Sequence, residues 1–420
     1  MLIEFSIGNY GSFDKIQTLS FKATGLESAS DEVDRSNIVD ANGIRYLKIA
    51  GLYGANASGK SNFLRGFAYF REMVVHSVQA EGLSENVVNP FRQSFDGISK
   101  PSFFQIIFLV EERKYRYGYM LDADGTIASE WLFGPAEKNE TYYFKRTGVQ
   151  VQCNGEWFAE GLDLPQDNLR PDALFLSFCS SYNGMHSKSI RSFLNRLVTV
   201  DIGAKRLRRI AVGFAASKYS QTNRLIESGQ EKLVLRWFKE AGLPYTGIRL
   251  PEDERFPSTV FLTKNIYDDR GAVIGQTEME LERDESEGTK KFYGYIGKLY
   301  RKFKEGGLYV VDEIDSNFHP SLLQKLVRLF QNKEINVADA QLLFTSHDTT
   351  LMDPKIMRRD QFYFAEKTLH EATKLYSLAD LKGIRNNSDF ARQYLAGMYG
   401  ALPILGDFLE EIEEEFEQED

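Results

Sequence analysis

The octapeptide Gly54-Ala55-Asn56-Ala57-Ser58-Gly59-Lys60-Ser61 constrains the fold more than any other stretch of the chain. It follows a short apolar run, Tyr46 to Tyr53, fit for a buried strand. It precedes apolar residues at helical spacing: Phe63, Leu64, Phe67, Phe70, Met73 and Val74. A G-x-x-x-x-G-K-[ST] turn between a strand and a helix wraps successive backbone N–H groups around phosphate oxygens and aims the positive end of the helix at them. Lys60 would then reach the outer phosphates and Ser61 would ligate Mg2+. Gly54, Asn56, Ala57, Ser58, Gly59 and Asn62 complete the expected phosphate contacts. The bland alternative is a glycine turn that only caps a helix.

A parallel α/β core follows from what comes after. Leu308 to Val311 and Gln341 to Thr345 are short buried strands, and His319-Pro320 opens a helix between them. Met1 to Ala23 reads as a strand pair. Ser102 to Leu121 and Ile127 to Val151 read as an antiparallel meander, and Ser258 to Leu281 returns to strand-like alternation. Between Tyr182 and Gly242 the pattern is helical, as at Ile190, Phe193, Leu194, Leu197 and Val198. The expected division is therefore 1–181 for the first half of the core with the β-subdomain, 182–243 for a helical insertion, 244–406 for the second half of the core, and 407–420 for an acidic tail.

Three further motifs carry chemistry. Leu308-Tyr309-Val310-Val311-Asp312-Glu313 is an apolar strand ending in two acids, a Walker B element in which Asp312 would hold Mg2+ and Glu313 would orient or deprotonate the attacking water. Taken alone, strands often end in acids. Phe344-Thr345-Ser346-His347 ends the next strand in a histidine, placed to hydrogen-bond a γ-phosphate or the lytic water; alone, such a histidine is an ordinary structural one. Ser286-Glu287-Gly288-Thr289 opens a helix 24 residues before Asp312, and in isolation it is an N-cap.

Together, Gly54–Ser61, Ser286–Thr289, Asp312-Glu313 and His347 resemble the ABC-type ATPase heads of the SMC, RecF and OLD group. The flanks Met1–Phe5 and Asn9–Phe13, the Asp312–Pro320 stretch, Ala173–Ser177 and Tyr394–Pro403 resemble more narrowly the stand-alone anti-phage ATPases of the RloA/AbiL and PARIS kind. The resemblance runs from Met1 to about Pro403. It implies an α/β P-loop ATPase head with an antiparallel β-subdomain and a helical insertion, ATP and Mg2+ as ligands, and Lys60, Glu313 and His347 as catalytic residues. It also implies a homodimer or higher oligomer in which Ser286, Gly288 and Thr289 of one subunit close the γ-phosphate site of another. A separately encoded nuclease or TOPRIM protein would be the effector, with a nucleic acid or a phage protein as trigger. Two features depart from the group's pattern. The signature is a shortened Ser-x-Gly-Thr, and the Q-loop glutamine is missing from the matching region Phe175 to Asn183, leaving Gln105 as second candidate.

Composition sets the outer bounds. With 42% hydrophobic and 26% charged residues in 420, the disordered, collagenous and low-complexity classes drop out. Two cysteines make no disulfide framework, and no run reaches ~18 apolar residues, so a cytoplasmic protein with no membrane contact is expected. The net charge of −9 is concentrated in nine acids between Asp407 and Asp420; outside them acids and bases balance. Phe408, Leu409, Ile412 and Phe416 give that tail an amphipathic pattern, suited to a docking helix or to a solvated end. Lys205-Arg206-Leu207-Arg208-Arg209 is the densest basic cluster, suited to DNA, to an acidic partner or to plain solvation. After His347 there is no Asp-x-Asp, so no nuclease is expected in this chain. Two other readings stand beside the defence ATPase: a RecF-like repair ATPase that clamps nucleic acid, and a scaffold stabilised by ATP with little turnover.

Overall fold

The computed structural model of the chain describes residues 1–137, 139–201, 219–251 and 259–403; for 198–201 only the backbone path is described. The basic cluster Lys205–Arg209 and the acidic tail 407–420 lie outside the described residues.

The centre of the molecule is a six-stranded sheet. Its strands run in the order Val198–Asp201, Leu308–Val311, Gln341–Thr345, Ile49–Tyr53, Phe362–Lys367, Thr373–Ser377. The first five are parallel and the last returns antiparallel. All residues of Ile49–Tyr53, Leu308–Val311 and Gln341–Thr345 are buried, as a parallel sheet covered on both faces requires. Side chains alternate between two cores. Ala50, Leu52, Leu308, Val310 and Leu343 pack with the helix Lys60–His76 and the β-subdomain. Ile49, Tyr53, Tyr309, Val311, Leu342 and Phe344 pack beneath the helices Glu287–Glu305 and Pro320–Gln331.

The β-subdomain is a seven-stranded antiparallel sheet in which Leu2–Gly8 lies between Gln17–Ser20 and the meander of Ser102–Val110, Arg113–Leu121, Ile127–Pro135, Glu140–Thr147 and Gln150–Cys153. Phe5 sets its packing, meeting Phe63, Phe67 and Phe70 of the helix edge-on at 4.6–5.7 Å. The expected α/β head with an antiparallel subdomain is the architecture found. No helix among the described residues is long and apolar enough to cross a membrane.

The segment 182–243 departs from a purely helical insertion. Met185–Leu197, Ser220–Glu227 and Glu231–Glu240 are helices, but Val198–Asp201 is the edge strand of the central sheet, parallel to Leu308–Val311. Ile190, Leu194 and Leu197 are buried in the first core and deliver the chain to that edge. The β-branched Val198-Thr199-Val200 favours extension there.

Phe175–Ser181, the region matched to a Q-loop, is a buried helix. Its first amides, on Phe175 and Leu176, donate to Glu130 at 2.6 and 2.9 Å. Glu130 also accepts from Tyr117 (2.9 Å) and faces Arg146 at 3.5 Å. Burial raises the pKa of Glu130, with Arg146 and the two amides opposing. A carboxylate at a helix N-terminus is the arrangement the helix dipole favours. Ser177 donates to the Val74 carbonyl and Gln105 accepts from the Trp131 indole, so these two side chains hold the subdomain together and to the core.

Candidate phosphate site

Three of the parallel strands bring the site residues to the carboxyl edge of the sheet, where ligands bind in α/β folds. Gly54 follows Tyr53, Asp312 follows Val311, and His347 follows Thr345 by two residues. The resulting open cleft of about 310 Å3 is lined by Asn56, Ala57, Ser58, Gly59, Lys60, Ser61, Asn62 and Arg65 on one side and by Asp312, Glu313 and His347 on the other.

The loop keeps its shape through left-handed backbone at Gly54 (φ +145°), Ala57 (φ +59°) and Gly59 (φ +107°). Two glycines are also required by space. A Cβ on Gly54 would stand 2.3 Å from the Ala365 carbonyl oxygen, and one on Gly59 would stand 2.2 Å from Thr373 Oγ1. Gly54 supports the turn from beneath and does not line the cleft. Thr373 Oγ1 lies 2.7 Å from both Ser58 O and Ser12 Oγ, and Asn62 donates to Ser12 at 3.1 Å. The Asn9–Phe13 turn and the last core strand thus clamp the loop from outside.

The helix Lys60–His76 begins with no side-chain cap and no acid in its first turn, so its free amides and positive end face the cleft. Lys60 is 6% exposed, and its Nζ donates to Gly54 O and Ala55 O, both at 2.8 Å. Burial brings its pKa down to about 8, against the pull of Asp312, Glu313 and Asp315. Ser58 Oγ is buried without a hydrogen-bond partner.

Across the cleft the acids are held by one hydroxyl. Thr345 Oγ1 donates to Asp312 Oδ1 at 2.6 Å and accepts from the Glu313 amide at 2.7 Å. Ser61 Oγ donates to the same Asp312 oxygen at 3.2 Å. Glu313 sits at φ +49°, strained for a residue with a side chain, and Lys291 Nζ donates to its carbonyl at 2.9 Å. His347 is exposed at the rim; partial desolvation, then the charge of Lys60, lowers its pKa, so the imidazole is neutral at pH 7.

These features fit a Mg2+-bound triphosphate. Gly54 and Gly59 hold the loop in a turn that a Cβ would push off its supports, a buried serine hydroxyl lacks a partner, and the hard oxygens of Ser61 and Asp312 already meet. Ser61 and Asp312 are the residues that would hold the metal.

Of the sequence-predicted residues, Asn56 to Asn62, Asp312, Glu313 and His347 converge on the cleft, whereas Ser286, Gly288 and Thr289 do not line it. Ser286 caps the helix Glu287–Glu305, accepting from the Thr289 amide at 3.2 Å, and Gly288 touches the Asn317 carbonyl. Ser286 and Glu287 are exposed, but Thr289 is buried with its hydroxyl 3.0 Å from Ser286 Oγ. In the single chain the cap turns the Thr289 side chain inward, while Ser286 stays at the surface.

Sequence reasoning did not single out Thr345, Thr373, Arg65 or Lys291. Only Arg65 carried a local signal, since i+4 from Ser61 places it on the same helix face.

The lowered Lys60 pKa sets a pH dependence. The protonated ammonium binds phosphate; bound phosphate raises its pKa, so affinity is full below pH 8 and falls as pH rises above it. Between pH 7.5 and 9 the Kd for ADP is expected to rise about eightfold, from the fraction of lysine still charged, with proton uptake on binding at pH 9 in calorimetry. A Kd flat across that range would remove Lys60 from the phosphate contact.

No curated protein matches the chain. Among solved structures it is similar to an SMC head bound to the C-winged helix domain of ScpA (14% identity, 90% of this chain and 97% of that chain, TM-score 0.47). It is similar also to the SMC head domain from Thermotoga maritima (12%, 90% and 98%, 0.37). A third is an SMC head with an extended coiled coil bound to the C-terminal domain of ScpA derived from Pyrococcus furiosus (13%, 95% and 99%, 0.46). A family profile described as "AAA domain, putative AbiEii toxin, Type IV TA system" matches residues 49–353, which hold the phosphate loop, the paired acids and His347. By that match over most of its length, and with the strand order and cleft found here, the chain belongs to this family of P-loop ATPases.

Proposed function

We infer that the chain binds and hydrolyses ATP as an ABC-type head, that two copies share their nucleotide sites, and that the cycle controls a separately encoded effector, a nuclease, in defence of a bacterial cell against phage.

 The nuclease activity belongs to that effector. The observation that carries the ATPase part is the hydrogen-bonded chain Ser61–Asp312–Thr345–Glu313, which joins the phosphate loop to the paired acids across an intervening strand. A structural turn has no need of it.

In this reading the loop amides and Lys60 bind the phosphates, and His347 donates an N–H to the γ-phosphate or the lytic water. Glu313 orients the water and takes its proton as it attacks phosphorus and ADP leaves. Ser61 and Asp312 would hold Mg2+, which would supply neutralisation of the phosphate charge. Sharing of the site between copies is supported by the exposed Ser286-Glu287 turn, which lies outside its own cleft at a helix N-terminus. The defence role and the effector rest on the family and on the sequence resemblance.

Mixing two inactive variants tests the shared site. Lys60→Ala lacks the loop cation, and Ser286→Glu sets a carboxylate against the γ-phosphate of the neighbouring subunit. Each alone is expected to be inactive. An equimolar mixture is expected to recover about a quarter of wild-type turnover, because half of randomly paired dimers hold one intact site of two. No recovery in demonstrably mixed dimers overturns the sharing.

A further inference from the structure

An open apolar groove of about 570 Å3 runs between the helices Glu231–Glu240, Glu287–Glu305 and Pro320–Gln331, and it shares no lining residue with the phosphate cleft. Phe292, Phe303 and Leu326 form its buried floor, Trp237 and Leu329 stand half-buried in its walls, and Ile335 is exposed at one end. Its rim carries four cations, Arg236, Lys304, Lys325 and Arg328, against two acids, Glu240 and Glu334. None of the four cations is ion-paired among the described residues; Lys325 donates to the Glu240 backbone carbonyl at 3.1 Å. An apolar slot with a cationic rim selects an amphipathic helix bearing carboxylates.

The chain itself contains such a segment. Residues 407–420 hold nine acids and no base, with Phe408, Leu409, Ile412 and Phe416 as the apolar residues. On a helical wheel these four fall within about 100°, and from first to last they rise about 12 Å. Eight of the nine acids occupy the rest of the circumference, and Glu419 falls within the apolar arc. The described chain ends at Pro403, just after Leu402, which packs against the same core cluster that supplies the groove's floor. From Pro403 an extended stretch to Asp407 spans up to ~14 Å, and a helix from there to Ile412 rises about 7 Å more.

We propose that the acidic tail 407–420 docks as an amphipathic helix into the groove of its own chain, its apolar stripe against Trp237 and Leu329 and its carboxylates on the cationic rim. The proposal is independent of the nucleotide reading. Docking covers an apolar, basic surface and sets a threshold for any acidic partner helix that competes for it.

The test uses the full chain with the photo-crosslinking residue p-benzoylphenylalanine in place of Phe416. Illumination is expected to give intramolecular crosslinks to peptides from 231–240 and 320–335, mapped by mass spectrometry. Two sets of substitutions are each expected to cut their yield at least fivefold. One is Arg236→Glu with Arg328→Glu on the exposed rim. The other is Leu409→Glu with Ile412→Glu in the tail, which leaves the folded body unaltered. Crosslinks mapping elsewhere, crosslinks that join two copies, or a yield indifferent to both sets would overturn the proposal.

Discussion

Lys60→Ala is expected to weaken nucleotide binding at least ~100-fold while leaving the free protein as heat-stable as before, or slightly more so. Both halves follow from where the ammonium rests. It is buried, and its two hydrogen-bond partners are neutral carbonyls of its own loop. The carboxylates of Asp312, Glu313 and Asp315 reach it only through space, too weakly to offset desolvation, and its pKa falls to about 8. A cation held in this way is a cost to the free fold. Phosphate entry lets it exchange neutral oxygens for anionic ones, and charge-assisted hydrogen bonds contribute roughly 1.5–3 kcal/mol each. Thermal unfolding with and without ADP separates the two halves. The midpoint of the wild type is expected to rise with ligand and that of the variant to stay put. A variant that melts several degrees lower yet still responds to ADP would mean that Lys60 serves the loop and not the ligand.

The parts of this site legible in the sequence are those written in contiguous residues. Gly54–Ser61 states its own geometry, since only glycine tolerates the φ of +107° at position 59 and the approach of Thr373. The strand ending in Asp312-Glu313 and the strand ending before His347 were readable because continuous apolar runs mark fully buried parallel strands. What these motifs could not state is their order in the sheet. Gln341–Thr345 lies between Ile49–Tyr53 and Leu308–Val311, and only that placement turns Thr345 from a strand residue into the hydroxyl that binds both Asp312 and the Glu313 amide.

The Ser12–Thr373 clamp shows the same limit from the other side: it joins the two ends of the chain, and no local pattern encodes a pair so distant. The orientation of Thr289 is not written in the local sequence for a different reason. A capping residue and a phosphate ligand have the same composition, and which way the hydroxyl turns depends on the packing behind the cap. Val198–Asp201 was hidden because four residues after a strong helical pattern are too few for alternation to register, although their β-branching was visible.

Glu313→Gln is expected to retain ATP binding within about threefold and to lower turnover by 10²–10⁴, the usual worth of a general base. The substitution isolates chemistry from architecture. The left-handed backbone at 313 is fixed by groups that do not involve its side chain: the amide by Thr345 Oγ1 at 2.7 Å and the carbonyl by Lys291 Nζ at 2.9 Å. Glutamine is isosteric and bears the same backbone strain, so the loop keeps its place and only the negative charge and the proton acceptor are lost. Lys291 gives the variant a second use. It stands on the helix that begins at Ser286, and it also donates to Ser316 O and Oγ, so this helix and the Glu313 loop move as one piece. If a neighbouring subunit's phosphates engage that helix's N-terminus, ATP that cannot be cleaved holds the two copies together. Light scattering of Glu313→Gln in Mg-ATP is then expected to show a dimer that persists, while the wild type returns to its starting mass as ATP is consumed. Turnover equal to wild type would assign the base elsewhere. A monomer with ATP bound would leave Glu313 its chemistry but make each head complete by itself.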